Sequence, residues 1–280
     1  MNTAAATATV EPGEHAHPGA ASAAEVKSGT AAAVRILLVT GGSRGIGAAV
    51  ARQAARAGWD VAVNYTRDAA AAEAVAAQVR ASGRRALVVQ GDVADEAQVL
   101  AMFAAVDAGL GRLTGLVNNA GVVDMPARVD EMSLQRLQRM WAINITGSFL
   151  CAREALKRMS RRHAGPGGSI VNLSSAAARL GSPNQYVDYA ASKGAIDTFT
   201  LGLAREVAGE GVRVNGVRPG IIDTDIHASG GLPDRVAQIG PTVPLQRAGT
   251  ADEVAAAVVW LLSDEASYAT GTTIDVTGGR

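Results

Sequence analysis

Tyr189 and Lys193 stand four residues apart in Tyr189-Ala190-Ala191-Ser192-Lys193, inside an Ala-rich stretch of helical spacing. On a helix, positions i and i+4 share one face, so a phenol and an ammonium would lie side by side. A phenol with an ordinary pKa of about 10 exchanges protons poorly near neutrality. A neighbouring ammonium favours the phenolate and moves that value toward the working range, as general acid–base catalysis requires. Ser174 and Ser175 close an apolar run upstream, and a serine hydroxyl beside the tyrosine can hydrogen-bond an oxygen on which charge develops. The direction of a strand end cannot be read from sequence, so the two serines compete for that place. Tyr186 is a rival acid, but it lies seven residues from Lys193 and is read as a wall of a substrate pocket.

A second group of residues points to a phosphate-bearing ligand. The apolar run at 36–39 leads into Thr40-Gly41-Gly42-Ser43-Arg44-Gly45-Ile46-Gly47 and then a helical stretch. Separated glycines let the backbone turn tightly and let a pyrophosphate approach a helix N-terminus, where free N–H groups and the dipole favour anions. At the tip of the second apolar run, a preference for NAD would show an acidic residue for the ribose 2′-hydroxyl. The sequence there is Asn64-Tyr65-Thr66-Arg67. Arg67, with Arg44 in the glycine loop, offers guanidinium forks to a 2′-phosphate, which favours NADP over NAD. The alternative is that both arginines are ordinary solvated charges, and Asp68 stands beside them.

These residues need a scaffold, and the rest of the sequence describes one. The chain has 280 residues, 48% of them hydrophobic, with 32 glycines, one cysteine, and 26 basic against 26 acidic side chains. Such a balance argues against a nucleic-acid or anionic-membrane partner, and no apolar run reaches the roughly 20 residues of a membrane span. A lone Cys151 excludes an internal disulfide framework and a cysteine-rich metal site, reads as a small buried hydrophobe, and fits a reducing, cytoplasmic compartment. Residues 1–30 contain no Leu, Ile or aromatic side chain and are expected to be a disordered tail, with His15 and His17 solvated. From there on, short apolar runs at 36–39, 61–63, 86–89, 116–117, 170–173, 212–217 and 272–276 alternate with helical stretches. The helices are expected at 48–57, 69–81, 96–108, 134–161, 189–208 and 251–262. That alternation predicts an α/β fold over 31–280: one doubly wound parallel sheet covered by helices. Residues 223–249 read as an irregular substrate lid. Within it His227 either touches a polar substrate group or is a solvent-exposed histidine on a mobile loop.

The sequence resembles the short-chain dehydrogenase/reductase family over residues 34–280. The resemblance rests on TGGSRGIG at 40–47, NNAG at 118–121, Asn144, Ser175, the Tyr189–Lys193 pair and Pro219-Gly220. It is nearest to the 3-oxoacyl-carrier-protein reductase and sugar-dehydrogenase branches. It implies a Rossmann-like fold, hydride transfer at a nicotinamide, a small carbonyl or alcohol substrate, and a homotetramer or homodimer. Tyr189 would then be the general acid/base, and Lys193 would lower its pKa and hold the nicotinamide ribose. The family pattern favours Ser175 over Ser174 for positioning the reacting oxygen. Asn144 would distort its helix and hold a water linking Lys193 to solvent. Asp92 and Val93 would meet adenine, Asn119, Ala120 and Gly121 would line the cofactor floor, and Pro219, Gly220, Ile222 and Thr224 would meet the carboxamide end. Two other readings stay open: a cofactor-binding regulatory or scaffold protein without turnover, and an NAD-dependent sugar or alcohol dehydrogenase.

Overall fold

The seven apolar runs become seven parallel strands in a computed structural model, which describes residues 1–4 and 34–280. The expected disordered tail, residues 1–30 with His15 and His17, lies outside the described residues save for its first four. The strands are β1 (Arg35–Val39), β2 (Trp59–Tyr65), β3 (Ala86–Gln90), β4 (Gly115–Asn118), β5 (Gly168–Leu173), β6 (Val212–Pro219) and β7 (Thr273–Val276). They are ordered β3-β2-β1-β4-β5-β6-β7 in one sheet. Strand order reverses between β1 and β4, where Val39 pairs with Val63 on one side and Val117 on the other. In open sheets of this kind the crevice beyond the carboxyl ends at that reversal is where ligands bind.

Helices cover both faces. They are α1 (Gly45–Arg56), α2 (Ala69–Ala81), α3 (Glu96–Gly109), α4 (Leu134–Trp141), α5 (Gly147–Met159), α6 (Ala177–Leu180), α7 (Val187–Val207), α8 (Ile226–Ser229), α9 (Arg235–Ile239) and α10 (Ala251–Leu262). Successive side chains of a strand point to opposite faces, and β1 shows the consequence. Leu37 and Val39 pack with α1, α2 and α10 in one apolar cluster, whereas Ile36 and Leu38 pack with α3, α5 and α7 in the other. Each fully buried side chain of this kind contributes about 1.5–3 kcal/mol, so the sheet is anchored from both sides. Asp68 caps α2 by accepting from the Ala71 N–H at 2.9 Å, and Asp95 caps α3 in the same way.

Three expected elements change on inspection. The helix at 134–161 is interrupted by a five-residue π-turn, Ala142–Thr146, and ends at Met159. Inside the turn, Asn144 reaches sideways to the Val122 backbone, accepting from its N–H and donating to its carbonyl. Gly147 follows immediately, where a Cβ would stand 2.6 Å from the Val93 side chain. α1 begins three residues earlier than the 48–57 reading, because Gly45 already belongs to its first turn. The segment at 223–249 is not wholly irregular, since it holds α8 and α9. No described helix is long and apolar enough to cross a membrane.

Candidate active site

The glycine loop between β1 and α1 is braced from beneath. Thr40 Oγ accepts from the N–H groups of Asn119 and Ala120, both at 3.0 Å, and the Asn119 amide donates to the carbonyls of Thr40 and Gly41. Gly41 and Gly45 have φ of 59° and 54°, a region that L side chains rarely adopt. At Gly47 a Cβ would lie 2.5 Å from both the Gly41 carbonyl oxygen and the Asn119 amide nitrogen. These positions demand glycine, and the hollow they leave at the head of α1 fits a pyrophosphate approaching free backbone N–H groups. At Gly121 a Cβ would stand 3.5 Å from Asn144 Oδ1 and 3.6 Å from Lys193 Nζ, so the absent side chain keeps open a space between these two groups. Ser43 and Ile46 stand half-buried in the loop, and Ile46 also lines the cleft described below.

One candidate on the adenosine side changes role. Asn64 is 1% exposed, its Oδ1 accepts from the Gly41 N–H, and its amide donates to the carbonyl of Gly91. It is a brace under the glycine loop with its polar atoms committed to the protein, which corrects the reading of Asn64 as a nucleotide contact. Thr66, Arg67 and Arg44 are exposed at the rim, and Tyr65 packs against the α1 side of the core. Asp68 is occupied with capping α2. Asp92 holds the turn after β3 through the Ala94 N–H, and Val93 is buried against Gly147.

The chemistry-bearing side chains meet where β5 and α7 come together. Ser174 is 4% exposed and turned inward, its hydroxyl donating to the Lys193 carbonyl at 3.1 Å. Ser175 lines the cleft together with Tyr189, its Oγ accepting from the Ala177 N–H at 3.1 Å, and it stands close enough to the phenol to pull its pKa down. Both serines border the cleft, but only the Ser174 hydroxyl is committed to the Lys193 carbonyl. Lys193 is buried, donates to the Leu173 carbonyl at 2.7 Å, and sits 5.7 Å from the centre of the Tyr189 ring. Asn144 donates to Ser192 Oγ at 3.1 Å, which ties the π-turn to the helix bearing both residues. An ion pair between Arg136 and the buried Asp188, at 2.7 Å, fixes the first turn of α7 against α4.

The protonation pattern departs from the simple helix-face argument. Burial pushes the Tyr189 phenol above its ordinary value, against the opposing pull of the Ser175 hydrogen bond. Burial brings the Lys193 ammonium down to about 8, with Asp197 resisting. Desolvation outweighs the opposing influence at both groups, the Ser175 hydroxyl at the phenol and the Asp197 charge at the ammonium, so the phenol stays protonated at neutral pH. Cys151 is fully buried and its thiol is pushed up to about 12 by burial, which leaves it no nucleophilic character.

A cleft of about 470 Å³ opens above these groups and runs from the glycine loop to the 223–249 segment. Pro219, Gly220, Ile222 and Thr224 form its edge after β6, with the Thr224 methyl 3.4 Å from where a Cβ on Gly45 would stand. His227 is held inward by a 3.0 Å hydrogen bond between Nε2 and the Ile222 carbonyl, which corrects the picture of an exposed histidine on a mobile loop. The Tyr186 hydroxyl donates to the Gly230 carbonyl at 3.2 Å, so this ring shapes the cleft and anchors the segment above it. Gln185, Arg235 and Arg280 also line the cleft. Sequence reading missed all three, because lone polar residues in Gly- and Pro-rich segments show neither period nor motif.

Comparison with known proteins adds to this geometry. A family model described as enoyl-(acyl carrier protein) reductase matches residues 41–280. A short-chain type dehydrogenase/reductase from Mycobacterium marinum superposes with a TM-score of 0.81 at 36% identity, covering 88% of this chain and 94% of that one. The chain belongs to the short-chain dehydrogenase/reductase family. Among other members it is 55% identical to an uncharacterized oxidoreductase, YgfF, of Escherichia coli (strain K12), over 88% of this chain and 99% of that protein. It is 38% identical to the 3-oxoacyl-[acyl-carrier-protein] reductase FabG of Staphylococcus aureus (strain Mu50), over 86% and 96% of the two chains. Glucose 1-dehydrogenase 2 of Bacillus subtilis (strain 168) is 36% identical, over 86% and 93%. Oxidoreductases of this family work with a nicotinamide cofactor on small molecules.

Proposed function

We propose that the chain interconverts a ketone or aldehyde and its alcohol, with NADP as the preferred cofactor and Tyr189 as the general acid/base. The observation that carries this reading is Ser175, Tyr189 and buried Lys193 lining one cleft with a loop whose Gly41, Gly45 and Gly47 leave no place for a side chain. The nicotinamide would supply or accept the hydride. Ser175 would orient the reacting oxygen, and the Tyr189 phenol, held protonated by burial, would give its proton to that oxygen as negative charge develops. Lys193 would hold the nicotinamide ribose, and Asn144 would order the space at Gly121 and a water leading from Lys193 to solvent. Asn119, Ala120 and Gly121 would form the cofactor floor, Asp92 and Val93 the adenine side, and Thr224 with the Ile222 backbone the carboxamide side. Residues 223–249 would close over the substrate, with Tyr186 and His227 shaping its pocket, and the compartment would be cytoplasmic. The direct test is nucleotide oxidation by the purified protein across acetoacetyl thioesters, diketones, aldehydes, quinones and keto-sugars. Turnover that depends on Tyr189 supports the reading; tight nucleotide binding with no turnover of any of them would favour a binding protein.

Arg44 and Arg67 support the choice of NADP, since both are exposed at the rim of the loop and Asp68, the one acidic neighbour, is engaged as a helix cap. Arg67→Ala is expected to weaken NADPH about tenfold and NADH far less, because only NADPH offers a phosphate to the guanidinium. Equal losses for the two nucleotides, measured by fluorescence titration, would remove the basis for NADP.

Assembly into a homodimer or homotetramer belongs to the same reading. Phe149 of α5 and Phe199 of α7 stack with ring centres 3.8 Å apart, Phe149 is 48% exposed, and Trp141 and Leu134 are exposed on the same stretch of chain. Light scattering at micromolar concentration should give at least twice the chain mass. A monomeric mass would contradict it.

A further inference from the structure

The charge lining the cleft is one-sided. The chain as a whole balances 26 basic against 26 acidic side chains, yet Lys193, Arg235 and Arg280 line the cleft and no Asp or Glu does. Lys193 is accounted for by the Leu173 carbonyl and by its place beside Tyr189. Arg235 is not. It enters from the first position of α9, half-buried, with its guanidinium 5.3 Å from the centre of the Tyr186 ring. One N–H donates to Gln185 Oε1 at 2.6 Å, which leaves four of the five donors of the group. Arg235 forms no ion pair among the described residues, and its charged neighbour, Arg280, opposes it.

A half-buried cation beside a second guanidinium, in a cleft lined by no Asp or Glu side chain, is costly to hold. An arriving anion removes that cost, and the planar fork of arginine matches carboxylate and phosphate oxygens in pairs. Cofactor phosphates are one rival anion, but the phosphate loop lies at the Gly45–Thr224 edge. Arg235 instead stands on Tyr186 and Gln185, in the segment leading into α7.

We propose that the substrate is an anionic carbonyl compound, whose carboxylate or phosphate is received by Arg235 with Arg280 at the lid end of the cleft while its carbonyl meets Ser175 and Tyr189. This rests on the dehydrogenase reading above, and the experiment separates the two. The probes are oxo acids of graded length (3-oxobutanoate, 4-oxopentanoate, 5-oxohexanoate), their methyl esters, and dihydroxyacetone phosphate against dihydroxyacetone. Each is measured for turnover with NADPH and NADH, and for binding by calorimetry to the protein saturated with NADP⁺. One anion should exceed its neutral partner by about tenfold or more in kcat/KM, as a charge-assisted hydrogen bond supplies. Which pair shows it tells carboxylate from phosphate. Arg235→Gln should bring that ratio close to one, and Arg235→Lys should restore part of it.

A wild-type ratio near one, or a ratio unchanged in Arg235→Gln, overturns the proposal. So does a loss of NADPH affinity in Arg235→Gln with the anion preference intact, which would assign the arginine to the nucleotide. Turnover of esters and acids alike leaves the dehydrogenase reading standing without the anion site. Arg235-dependent binding of the anions with no turnover by either nucleotide does the reverse.

Discussion

Tyr189→Phe is expected to lower kcat/KM for carbonyl reduction by about a thousandfold, within the usual range for loss of a positioned general acid. The substitution removes one oxygen and keeps the ring. Lys193 retains its hydrogen bond to the Leu173 carbonyl, and the glycine loop, braced by Asn64 and Asn119, is untouched. Nucleotide affinity should therefore stay within about threefold of wild type, less than the tenfold that 1.4 kcal/mol would give. Ser175 keeps its bond from the Ala177 N–H and borders the cleft, where water can take the place of the phenol oxygen. Steady-state kinetics and a fluorescence titration of NADPH check the two halves together. A variant that kept most of its turnover would remove Tyr189 from the proton-transfer role, and parallel losses of turnover and binding would recast it as a structural contact.

Gly47→Ala carries the next largest effect. Its methyl group would stand 2.5 Å from the Gly41 carbonyl and from the Asn119 amide; the first is backbone, and the second is a side-chain end held by two hydrogen bonds. The Asn119 amide already bridges two carbonyls of the loop. Something must move, and what moves is the phosphate cradle. Overpacking of this kind costs roughly 1–3 kcal/mol, and nucleotide affinity should fall by at least about tenfold as the loop distorts. Gly202→Ala is the control, since that exposed α7 glycine has nothing within 4 Å of an added Cβ and alanine favours a helix by about 0.5–1 kcal/mol. Thermal unfolding and NADPH titration of both variants provide the comparison. A Gly47→Ala protein with wild-type melting and affinity would show that the loop does not need this close approach.

The fold was legible wherever burial imposes a simple pattern. A strand buried on both faces reads as an unbroken apolar run, and every strand was found within a few residues of such a run. The glycine loop was legible because only backbone geometry explains several glycines ahead of a helix. Residues acting through a neighbour several strands away were harder to see. Asn64 looks like a ligand contact from its place at a strand tip, and only the three-dimensional proximity of Gly41 and Gly91 makes it a brace. Tyr189 and Lys193 were paired correctly by helical spacing, but spacing carries no information on desolvation. Burial raises the one and lowers the other, where a purely local argument expects the phenol to fall. Ser174 and Ser175 are separated in the sequence only by the family resemblance, and the strand end supplies the physical difference, turning the Ser174 hydroxyl onto the Lys193 carbonyl. Arg235 was invisible for a different reason: its significance lies in a cleft that no Asp or Glu side chain lines.

The most direct measurement is to follow the hydride. NADPH carrying deuterium at C4 of the nicotinamide, on each face in turn, would be supplied to the protein with the carbonyl substrate it turns over fastest. Mass spectrometry would then read the alcohol. The account predicts one deuterium on the carbinol carbon from one labelled face and none from the other, with product formation lost in Tyr189→Phe. Alcohol lacking deuterium from either face, or no alcohol at all with the nucleotide bound, would contradict it.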